Sequence, residues 1–125
     1  MKKITVFILV TLFFATGVSA QLKDTKWKGT LNIPDPAECT FEFKKDTLYL
    51  YVNANGALLE TMTFSIVKDT VYLHKVSGQS PCMPESKGTY RFTIRDEKLY
   101  FNPASDDCQE RLNAFTPDAW VREKS

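Results

Sequence analysis

The stretch GTYRFTIRDEKLYFN, residues 88–102, decides the fold. Tyr90, Phe92 and Ile94 alternate with Thr89, Arg91, Thr93 and Arg95. Successive side chains of a strand point to opposite faces, so this spacing makes one apolar face and one polar face. Asp96-Glu97 forms a short charged turn, and KLYFN (98–102) resumes the pattern. Two such runs joined by a tight turn predict an antiparallel hairpin.

The same grammar extends in both directions. Upstream lie WKGTLNI (27–33), CTFEFK (39–44), TLYLYVN (47–53), LLETMTFSIV (58–67) and TVYLHKV (70–76). Lys45-Asp46, Asn53-Ala54-Asn55-Gly56 and Lys68-Asp69 separate four of these runs, and Asn and Gly tolerate the positive φ of hairpin turns. AWVREK (119–124) supplies the last strand downstream. Strands with one apolar face must bury it, and closing the sheet removes its edges. The fold expected is all-β, an antiparallel eight-stranded up-and-down barrel, with an open or half-barrel sheet as the alternative.

One segment breaks the rhythm: DDCQERLNAF, residues 106–115. Asp106 and Gln109 have capping-box spacing, and Pro117 forbids a longer helix. Cys108, Arg111, Leu112 and Phe115 fall at i, i+3, i+4 and i+7, one helical face. The short helix before the last strand is therefore expected to plug one barrel end. It would carry Arg111 inward, with Trp27 as the expected aromatic partner. Arg122, on the last strand, is the rival for that ring.

Residues 1–20 read as a signal peptide: Lys2-Lys3, an apolar run, then Val18-Ser19-Ala20 before the cleavage point. Residues 21–125 form one domain, secreted or periplasmic, with no membrane attachment after cleavage. Losing Lys2 and Lys3 turns the formal charge of +1 into −1, with no basic patch to attract nucleic acid. Cys39 alternates with Phe41 and Phe43 on an apolar face, whereas Cys82 and Cys108 lie in irregular polar sequence. In an oxidising compartment the expected bridge is Cys82–Cys108, leaving Cys39 free.

Residues able to carry chemistry are few. His74 is the single histidine and reads as a half-exposed strand residue. Glu60 shares a face with Met62, Phe64 and Ile66 but sits near a hairpin end, where water is expected to reach it. Asp106 and Asp107 stabilise a helix start without any metal. Tyr49, Tyr51, Tyr72 and His74 share the faces opposite Leu48, Leu50, Val71 and Leu73. If they face inward, they line a ligand pocket. If the aliphatic face is inside, they form an outer aromatic ladder. No serine-nucleophile motif, glycine-rich phosphate loop or paired carboxylates occur, so no enzyme and no cofactor are expected.

LKDTKWKGTL (22–31) resembles the first-strand signature of the calycin group, the lipocalin-like barrels. The run PC…KGTYRF…KLYF…DDCQERLNAF…W is similar to uncharacterised secreted bacterial lipocalin-like proteins. Thr25-Lys26-Trp27 stands where lipocalins carry Gly-x-Trp, and their Thr-Asp-Tyr motif is missing. The resemblance implies a secreted barrel holding a small apolar or amphipathic ligand in its mouth, with an arginine packed on Trp27. The competing expectation is an interaction or structural module with a filled core and an exposed aromatic patch. Oligomeric state is not legible.

Overall fold

A computed structural model describes residues 22–124, so the expected signal segment lies outside the described residues. The strands are β1 (Thr25–Asn32), β2 (Pro36–Phe43), β3 (Thr47–Val52), β4 (Ala57–Val67), β5 (Thr70–Gly78), β6 (Gly88–Arg95), β7 (Lys98–Asp106) and β8 (Trp120–Glu123). One helix, α1 (Gln109–Ala114), precedes β8. The strands pair antiparallel in chain order, and β8 closes on β1 to complete an eight-stranded barrel. Among the described residues no helix is long and apolar enough to cross a membrane.

The period-two pattern explains the interior. Trp27 and Leu31, Phe41 and Phe43, Leu48 and Leu50, Met62 and Phe64, Val71 and Leu73, Tyr90 and Phe92, Leu99 and Phe101, and Trp120 are all buried. The Asp96-Glu97 turn has positive φ at both residues, 51° and 64°, the backbone that matches a hairpin's right-handed twist. β7 runs past Pro103 to Asp106, beyond the expected end at Asn102. Thr89 pairs with Ser105 and Tyr90 with Pro103, so Ala104 is the extra residue of a bulge. A bulge is where a strand tolerates a proline that cannot donate to the ladder.

The two barrel ends differ. At one, residues 44–46, 68–69 and 96–97 make tight turns. At the other, β1, β3, β5 and β7 finish, and the longer connections 79–87 and 107–119 gather with α1. Aromatic rings fill the middle. Phe41 stacks on Trp120 at 4.4 Å between centroids, and Phe115, just after α1, lies 4.3 Å from Tyr90 and 5.2 Å from Phe101. Gly29 is what admits the indole: a Cβ there would come within 2.4 Å of the Trp120 ring.

Candidate functional site

The end carrying the longer connections holds a cavity of about 590 Å³. Leu31, Phe41, Leu50 and Met62 form its apolar floor, and Leu59 and Glu60 of β4 form one wall. Residues 79–82 and Arg111, Ala114 and Phe115 cover it from the other side. The cover is held by the Cys82–Cys108 disulfide, whose Cα atoms are 5.4 Å apart. Cys39 is free and buried, and burial pushes its thiol pKa up.

Glu60 is 5% exposed, which corrects the expectation of a rim carboxylate in water. Its nearness to the hairpin in sequence is offset by the segment that follows β5, which folds back over it. The Ser80 backbone N–H donates to Glu60 Oε1 at 3.1 Å, and the Ser80 hydroxyl donates to Oε2. Gly78 makes this possible. It has φ +138°, and a Cβ there would stand 2.1 Å from Glu60 Oε1. Lys75 donates to the Ser80 carbonyl, and among the described residues Glu60 forms no ion pair.

Arg111 is carried inward as its helical face predicts, 8% exposed. Its partner, however, is Asp106. Nε donates to Oδ2 and Nη2 to Oδ1, each at 2.8 Å, and Nη2 also reaches the Ser86 carbonyl at 3.0 Å. The Asp106 side chain is 0% exposed and also accepts from the Tyr90 hydroxyl and from the Cys108 N–H, the latter at 2.8 Å. Among the described residues, Arg111 Nη1 is buried without a hydrogen-bond partner. Gly88 clears the space: a Cβ there would lie 2.8 Å from Asp106 Oδ2 and 2.9 Å from Arg111 Nε. Burial, then the bond to Asp106, pushes the Tyr90 pKa far up. Burial opposes the Arg111 charge, but the bonds to Asp106 outweigh it and raise that pKa too.

Two expectations are corrected here, and one pair of alternatives is decided. The Trp27 ring is met by Arg122, 5.5 Å from its centroid, and not by Arg111. The reason is topological: β1 begins at the tight-turn end, whereas β7 delivers α1 to the opposite one, and Trp27 pairs with Arg122 across the closing seam. The Asp106–Gln109 capping box does not form, because Asp106 is engaged with Arg111 and Gln109 bonds Asn113 at 2.9 Å. Finally, none of Tyr49, Tyr51, Tyr72 and His74 lines the cavity. Leu48, Leu50, Val71 and Leu73 take the inside, leaving those four half-buried on the outer face. There Tyr49 and Tyr51 lie 6.5 Å apart, and Lys87 sits 5.3 Å over the Tyr72 ring.

Sequence reasoning missed the roles of Glu60 and Tyr90. For Glu60 the signal was present, since it alternates inward with Met62 and Phe64. Nothing local announced that the Tyr90 hydroxyl would bind Asp106. Compared with known proteins, the chain matches no family model, no curated protein and no solved structure.

Proposed function

We propose that this protein is a secreted, lipocalin-like barrel that binds a small apolar or amphipathic ligand in its mouth, without catalysing a reaction. The observation that carries this reading is the cavity of about 590 Å³ beneath α1 and the 79–82 segment. Ligand sites run from roughly 300 to 1,000 Å³ and combine apolar walls with a few placed polar groups. Leu31, Phe41, Leu50 and Met62 offer the walls, and Glu60 and Arg111 offer the polar groups. The alternative, an interaction module with a filled core, fits the aromatic packing in the middle of the barrel but not this volume. Secretion is supported by the pattern of residues 1–20 and by a disulfide, which persists in oxidising compartments.

Native mass spectrometry of protein purified from its own host is expected to detect a co-purifying small molecule. Added N-phenyl-1-naphthylamine, an uncharged apolar dye, is expected to gain fluorescence in the cavity. No adduct and no dye binding together would remove the ligand reading.

A further inference from the structure

We propose that the cavity selects amphipathic ligands whose head is a cation, a primary amine or ammonium on an apolar body, with Glu60 as the recognising group. The inference rests on the ligand-binding reading above and adds the sign of the ligand's charge.

Glu60 is a carboxylate set in a largely apolar wall, 5% exposed, with two hydrogen bonds from Ser80. An ionised carboxylate has about four lone-pair sites and accepts only, so capacity remains after Ser80 is counted. A buried charge is costly unless it is paired. The cations near the site do not pair with it. Arg111 is neutralised by its two-bond contact with Asp106, and Lys75 donates to the Ser80 carbonyl. Glu110, exposed and also lining the cavity, adds a second acid that forms no ion pair among the described residues. Lys75 stays charged while bonded to the neutral Ser80 carbonyl but does not line the cavity. Once Arg111 and Asp106 cancel, the lining charge is therefore that of Glu60, with exposed Glu110 of the same sign. A positive head is complementary to it, and an anionic head is repelled.

Arg111 Nη1 refines the fit. It is a buried donor without a partner among the described residues, and the guanidinium charge is already balanced by Asp106. A neutral acceptor on the ligand, such as a hydroxyl or carbonyl oxygen, satisfies it without bringing a negative charge close to Glu60.

The test displaces N-phenyl-1-naphthylamine from the protein with octylamine, 1-octanol and octanoate, which share one tail and differ in head charge. Octylamine is expected to bind at least about tenfold more tightly than octanol, the scale of one hydrogen bond to a charged group. Octanoate is expected to be weakest. In Glu60→Gln the advantage of the amine over octanol is expected to vanish while octanol binding persists. Equal affinity for amine and octanol in the unaltered protein overturns the proposal and needs no variant. So does an amine preference that survives in Glu60→Gln. If the dye binds but octanoate wins, the charge assignment fails and the ligand reading stands. If neither dye nor any octyl compound binds, both fall.

Discussion

Arg111 and Arg122 occupy opposite ends of the barrel and do different work. Arg111 and Asp106 are both buried, and removing one partner of such a pair strands the other's charge, at a cost of about 3–5 kcal/mol. Arg122 is exposed, and its contact with Trp27 is of the kind worth about 0.5–1 kcal/mol at an exposed site. Urea unfolding of Arg111→Ala is therefore expected to show a loss of about 3 kcal/mol, against less than about 1 kcal/mol for Arg122→Ala. A larger loss for Arg122→Ala would shift the main structural role to the closing seam. The sequence made Arg111's burial legible, because the 3.6-residue period places it beside Cys108 and Phe115. It left the partner illegible, because helical phase says which way a side chain points but not which end of a barrel the helix covers. That depends on counting strands: an odd number from β1 to β7 puts α1 at the far end from Trp27.

At the level of elements, the strands were the legible part. Alternation such as Phe41-Glu42-Phe43 states which face is inside, and charged two-residue turns state where the chain reverses. Boundaries were less legible, since β2 begins at Pro36 and β7 passes Pro103, both set by pairing with neighbours. The Tyr49–Tyr51 face was ambiguous locally, because tyrosine suits either side of a sheet; the aliphatic partners on β3 and β5 decided it. The cavity was not legible at all, being what remains after large rings pack. Its cover depends on the Cys82–Cys108 bridge, which closes a loop spanning 26 positions and contributes about 3 kcal/mol by chain entropy. Thiol labelling of the folded, unreduced protein is expected to find nothing, because Cys39 is buried with a raised pKa. Labelling after denaturation without reductant is expected to mark Cys39 alone. A label on Cys82 or Cys108 in that sample would show that the cover is not tied down covalently.

Across the whole molecule, one network joins the barrel to its cover. Tyr90 lies on β6, Asp106 at the end of β7 and Arg111 on α1, so a single carboxylate gathers three elements. This links stability to alkaline pH. Burial first, and the bond to Asp106 second, raise the Tyr90 pKa in the folded state above its ordinary value of about 10. A raised folded pKa means that the unfolded chain releases this proton first. The contribution is thus complete below about pH 10 and declines above it, by up to about 1.4 kcal/mol per pH unit, until the folded pKa is reached. Cys39 and Tyr51 are shifted in the same direction, as is exposed Lys44, so the unaltered protein's pH profile reports several groups at once. Comparison with Tyr90→Phe separates them, because those shifts are shared. Between about pH 9 and pH 11 the stability advantage of the unaltered protein over Tyr90→Phe, read from urea midpoints, is expected to shrink. Absorbance near the tyrosinate band is expected to show Tyr90 ionising only as the barrel unfolds. A stability difference that stays constant across that range would mean that Tyr90 ionises in the folded barrel as readily as in the open chain, and the network would then not couple the cover to the core.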